Sequence, residues 1–198
     1  MTFAGLCEAG PIVLCATGPA SSVSALLREA LPLLARELAL EPLPALAPIQ
    51  QADLCLSALR TGGPSAALAP LPADPGMTLE DGRCWARALA AWARPCIILI
   101  DSEQLQTGTA AASTALMAQH GVPLLGLIQW GGIWQAPQRR LDGLPWLGAA
   151  GPGEARDPTA LRLTLALRAA RRVECGAEAQ GESRCAGGQS GGPADALM

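Results

Sequence analysis

The stretch Pro95–Gly132, PCIILIDSEQLQTGTAAASTALMAQHGVPLLGLIQWGG, constrains the fold more than any other part of the chain. Cys96 to Ile100 is a short Ile-rich run bounded by Pro95 and Asp101, the pattern of a strand covered on both faces. The Ala-rich segment from Thr107 to His120 favours helix, and Gly121 directly after it is a helix stop. A second apolar run follows from Val122 to Ile128, interrupted only by Pro123 and Gly126. Strand, helix and strand within about 35 residues is the span of a right-handed βαβ unit.

The rest of the chain fits around that unit. Pro11 to Cys15 predicts a short strand running into a loop of small residues, Ala16 to Ser24. A helix is expected from about Ser22, with Val23, Leu26, Leu27, Leu31, Leu34 and Leu38 on one stripe, and Pro32 is expected to kink or divide it. Strand, loop and helix N-terminus in this order is either a phosphate cradle or an ordinary βα turn with a serine cap. Leu46 to Ile49 is a candidate edge strand, and Ala52 to Leu59 a helical turn or two. Residues 61–77 read as an irregular surface loop. Thr78-Leu79-Glu80-Asp81 has the form of a capping box opening a helix to about Ala93. Beyond the central unit, Gly131 to Gly143 reads as a polar loop and Leu144 to Gly148 as a strand. A helix is expected over about Pro158 to Val173, and the Gly/Ser/Ala-rich residues 174–198 as a disordered tail. The expectation is one domain over 1–173, in the α/β class: three layers, with a mostly parallel sheet flanked by helices.

Composition removes several kinds of chemistry. All 14 basic residues are arginine, so no lysine Schiff base and no P-loop lysine is available. His120 is the single histidine, and Cys7, Cys15, Cys55, Cys84, Cys96, Cys175 and Cys185 form no CxxC pair, which leaves no usual zinc pattern. A net charge of −3 with dispersed arginines carries no footprint for nucleic acid. No apolar run approaches the roughly 18 residues of a membrane span, and the N-terminus lacks a secretory pattern. A cytoplasmic protein with reduced thiols is expected. Trp130, Trp134 and Trp146 fall near strand ends, where they either stack on a base or cover the end of the sheet or a partner surface.

Four pieces stand in an order similar to dethiobiotin synthetase, a family with the P-loop NTPase fold that closes the ureido ring in biotin biosynthesis. CATGPASSVSALL resembles its nucleotide loop, and Pro48-Ile49-Gln50 its "K-P-[IV]-Q" motif. IILIDSEQLQTGTAAASTALMAQHGVPLLGLIQ resembles its strand, Gly-Thr loop, helix and following strand, and LPWLG at 144–148 the piece after it. The resemblance implies an ATP-dependent ligase acting on a small-molecule substrate, with Mg2+ and a homodimer. It places nucleotide at Thr17, Gly18, Ser21, Ser22, Ser24, Gln129, Pro145, Leu147 and Gly148. It places substrate at Gln50, Thr107, Gly108 and Thr109 and magnesium at Ser24, with Asp101 or Glu103 as the carboxylate in a shifted register.

The chain departs from that pattern at its most chemical positions. Val23 stands where the family has its phosphate-binding lysine, Ser22 where it has the preceding glycine, and Ala47 where it has a second lysine. Gln129 replaces an asparagine that reads adenine, and the acidic strand "E-G-A-G-G" has no clear counterpart. Losing a comparable electrostatic contact costs about 10²–10³ in rate. Hence the alternative expectation is a non-catalytic binding or partner module on the same fold.

Overall fold

The computed structural model describes residues 10–46, 52–61 and 67–152. Six parallel strands form one sheet: β1 (Ile12–Ala16), β2 (Glu41–Pro42), β3 (Ala67–Pro70), β4 (Cys96–Asp101), β5 (Leu124–Trp130) and β6 (Trp146–Ala150). Their order across the sheet is β2-β3-β1-β4-β5-β6. Among the described residues five α-helices accompany them: α1 (Ala20–Leu38), α2 (Ala52–Thr61), α3 (Trp85–Ala91), α4 (Thr109–His120) and α5 (Ala136–Leu141). The α/β class and the parallel sheet expected from the alternating pattern are both present.

The three layers follow from which residues each strand turns to either side. Ile12, Leu14, Ile97 and Leu99 pack with Val23, Leu27, Ala30, Leu34 and Leu38 of α1. Val13, Cys15, Ile98 and Ile100 pack on the opposite face with Leu56 of α2, Trp85 and Leu89 of α3, and Met117 of α4. Every residue of β1 is buried, so the first strand is a core strand. The central βαβ unit lies where the sequence placed it, and Gly121 ends α4 in the left-handed conformation, φ 71°. β5 and β6 each carry one register shift, after Leu124 and at Leu147.

Several expectations are corrected. Residues 67–70 are not surface loop: Ala67-Leu68-Ala69-Pro70 is a fully buried strand, Ile12 aligned with Leu68 and Val13 with Ala69. It fills the sheet position for which no strand was recognised. Of the two outcomes expected at Pro32, division does not occur: α1 is one continuous element with the proline exposed on its surface. The helix expected from Thr78 starts instead at Trp85, because residues 78–84 close on themselves. Leu79 N–H donates to Arg83 O at 2.7 Å, Gly82 N–H to Leu79 O at 3.0 Å, and the Asp81 carboxylate accepts from Arg83 N–H at 2.9 Å. Local side-chain and turn bonds outcompete the helical ladder there. The polar loop after β5 contains the short helix α5. The strand expected at 46–49 is absent at Leu46, and its other residues lie outside the described residues. So do the helix expected at 158–173 and the tail at 174–198.

An exposed clamp joins α2 to the turn before α3. Arg83 Nη2 lies 2.6 Å from Asp53 Oδ2, its Nε donates to Asp81 Oδ2 at 2.7 Å, and Trp92 Nε1 donates to Asp53 Oδ1 at 2.8 Å. The hydrogen bonds from Arg83 and then Trp92 hold the Asp53 carboxyl below its ordinary range.

Candidate functional site at the carboxyl edge of the sheet

The connection leaving β1 passes to α1 on one face, and the connection leaving β4 passes to α4 on the other. Such a change of side opens a crevice between the carboxyl ends of two neighbouring strands, the usual ligand position in open parallel sheets. Here that position lies between Ala16 of β1 and Asp101 of β4.

A single carboxamide bridges the crevice. Gln104 Oε1 accepts from Thr17 Oγ1–H at 3.2 Å and from Asp101 N–H at 3.0 Å, while Gln104 Nε2 donates to Thr17 O at 2.8 Å. Gln104 reaches this place because Asp101 caps a one-turn 3-10 helix, Ser102–Gln106. The Asp101 carboxylate accepts from Glu103 N–H at 2.9 Å, and Gln104, three residues on, reaches back to the Asp101 amide. That reciprocal pair is a capping box, so the spacing Asp101–Gln104 was a readable signal for the bridging residue.

A carboxylate approaches from the third strand. Beyond β3 the chain makes a turn in which Asp74 Oδ1 accepts from Gly76 N–H at 2.7 Å. Asp74 Oδ2 accepts from Gly18 N–H, also at 2.7 Å. The loop from β1 to α1 is only Thr17-Gly18-Pro19. Of its three residues Gly18 gives its N–H to Asp74, and Pro19 has none to give. The first amide of α1 with a backbone acceptor is Val23 N–H, on Pro19 O at 3.0 Å, so the amides of Ala20, Ser21 and Ser22 are what a ligand would meet. The sequence carries no local signal for Asp74, because the strand before it has the composition of a loop.

The residues singled out in the sequence are only partly brought together. Thr17 and Asp101 converge at the crevice through Gln104, and Gly18 beside Thr17 binds Asp74 instead. Ser21, Ser22 and Ser24 lie exposed on the first turns of α1, and among the described residues no hydrogen bond links Ser24 to Asp101. Thr107, Gly108 and Thr109 form the entry to α4, where Thr107 Oγ1 lies 2.6 Å from Thr109 Oγ1. Gln129 is fully buried at the end of β5, its Nε2 donating to Gly131 O at 2.9 Å and Ile133 O at 3.2 Å and its Oε1 without a hydrogen bond. Gly132 beside it has φ +65°, and an added Cβ would stand 3.0 Å from Ser102 Cβ. Pro145 lies at the amino end of β6, its carbonyl accepting from Leu127 N–H, and Leu147 and Gly148 lie within that strand, away from the carboxyl edge. Gln50 lies outside the described residues.

Trp146 is held at the amino end of β6. Its Nε1 donates to Asp142 Oδ2 at 2.8 Å, Trp134 packs edge-on at 6.1 Å, and the Arg139 guanidinium lies 5.0 Å over the ring. Among the described residues no group of three or more His, Cys, Asp or Glu side chains is arranged to hold a metal ion. No described helix is long and apolar enough to cross a membrane. Compared with known proteins, the chain matches no family model and no curated sequence.

Proposed function

We propose that this chain is a non-catalytic binding or partner module, built on a sheet of the dethiobiotin synthetase type, whose nucleotide loop is closed by its own carboxylate. The observation that carries this reading is the 2.7 Å bond from Gly18 N–H to Asp74 Oδ2. A phosphate oxygen entering the loop would have to displace a charge-assisted hydrogen bond and would meet a like charge. The three-residue connection and Val23 in place of a lysine support the same reading.

A second reading is retained because Thr17 and Asp101 meet at the switch point between β1 and β4. In it the chain is a cytoplasmic, homodimeric ligase that binds Mg-ATP and closes the ureido ring of a diamino acid in biotin biosynthesis. The two readings separate in one pair of measurements: calorimetric titration of Mg-ATP, and rescue of a strain lacking dethiobiotin synthetase. The proposed reading expects no heat of binding and no growth without biotin. Binding together with growth would overturn it in favour of the ligase. Asp74→Asn locates the effect, since removing the carboxylate charge is expected to raise whatever affinity the loop has for inorganic phosphate.

A further inference from the structure

The histidine and the most accessible described cysteine meet where α3 begins and α4 ends. Cys84 Sγ lies 3.4 Å from His120 Nε2. Cys84 is the N-cap residue of α3, and His120 is the last residue of α4, so the contact joins two helices that pack side by side on the sheet. Cys15, Cys55 and Cys96, the other described cysteines, are buried, whereas Cys84 and His120 are both partly open to solvent. Burial pushes the Cys55 thiol up, and a hydrogen bond with Cys96 followed by burial does the same to Cys15. The thiolate is thus disfavoured at Cys15 and Cys55, and all three side chains lie out of solvent's reach.

We propose that Cys84 and His120 form a reactive thiol–imidazole pair and that Cys84 is a site of oxidation by hydroperoxides. A thiol within hydrogen-bond reach of an imidazole is the arrangement that activates a cysteine nucleophile. With the Nδ1-protonated tautomer, Nε2 accepts the thiol proton as sulfur attacks the nearer peroxide oxygen. The S–O bond forms as the O–O bond breaks. The imidazolium then passes that proton to the departing hydroxide or alkoxide, which leaves as water or alcohol. Sulfur loses two electrons, the peroxide gains them, and the product is a sulfenic acid at Cys84. No metal, cofactor or second reductant enters the balance.

The contact could instead serve only to tie α3 to α4, and the two roles give different kinetics. The full-length chain is exposed to hydrogen peroxide with dimedone present, and adduct formation at each cysteine is followed by peptide mass spectrometry, folded and in urea. A reactive pair makes Cys84 label faster in the folded chain than in the unfolded one, and His120→Gln removes the excess. General acid–base assistance of this kind is worth about 10²-fold in rate, so the difference lies well outside measurement scatter. Labelling of folded Cys84 at or below its unfolded rate would overturn the proposal. So would a folded His120→Gln chain that keeps the wild-type rate. The comparison within the wild-type chain stands even if that variant does not fold.

Discussion

Replacing Gln104 by Met tests whether the carboxamide at the crevice holds the centre of the sheet together. Methionine keeps the length of the side chain and removes three hydrogen bonds, to Thr17 Oγ1, Thr17 O and the Asp101 amide. Each is worth about 0.5–1.5 kcal/mol net, and Thr17 is itself buried, so its carbonyl is left without that partner. Gln104 is only half-buried and water replaces part of the loss, which brings the expected cost to about 2–3 kcal/mol. With a urea slope of about 2 kcal/mol/M, the unfolding midpoint falls by about 1–1.5 M at unchanged slope. Gln104→Glu sharpens the test. Its carboxylate still accepts from Thr17 Oγ1 and Asp101 N–H but turns an oxygen toward the Thr17 carbonyl, so it should be at least as unstable as Met. A Met variant within about 0.5 kcal/mol of wild type would show that solvent substitutes freely for the bridge, and the reasoning would fail. A Glu variant of wild-type stability would remove the Nε2–carbonyl bond from the account.

Two further outcomes rest on single contacts. The lowered Asp53 carboxyl contributes stability that is present above its ordinary value of 3.8 and lost as pH falls through its lower folded value. Urea midpoints measured down to pH 3 should therefore drop less steeply in Asp53→Asn than in wild type, the difference staying below about 1 kcal/mol because the clamp is exposed. Gly132→Ala combines a left-handed φ with a Cβ 3.0 Å from Ser102, and should lower stability by more than about 1 kcal/mol in the same assay.

How much was legible in the sequence depended on whether a segment announced itself by pattern. The Ile-rich β4, the Ala-rich α4 and the Gly121 stop carry strong local signals, and all three lie where expected. β3 carries none. Ala67-Leu68-Ala69-Pro70 is buried on both faces, so it shows no alternation, and its small residues between prolines and glycines look like loop composition. Only pairing with β1 makes it a strand, and that pairing is non-local. The same gap hid Asp74, whose role depends on where β3 ends. The Thr78 capping box failed for a different reason. Asp81 and Gly82 gave the segment a turn with its own hydrogen bonds, and the helix began only after them. Thr17, Gly18 and Asp101 enter the sequence reading as site residues only through the resemblance, whereas Gln104 follows from reading Asp101 as a cap.

The place of β1 in the sheet also shapes how the chain must be assembled. Val13 lies between Ala69 on one side and Cys96 on the other, so neither neighbour exists when β1 is first made. Both pairings close long loops, and such parallel, non-local pairing is slow to form. During synthesis the most apolar strand of the N-terminal half therefore waits with both edges open until residues beyond 70 have emerged, and with one edge open until β4 follows. α1, which follows it at once and covers one of its faces, is the local element able to shield it meanwhile. Variants that weaken α1 should then lower the yield of soluble chain during expression more than they lower the stability of the finished fold.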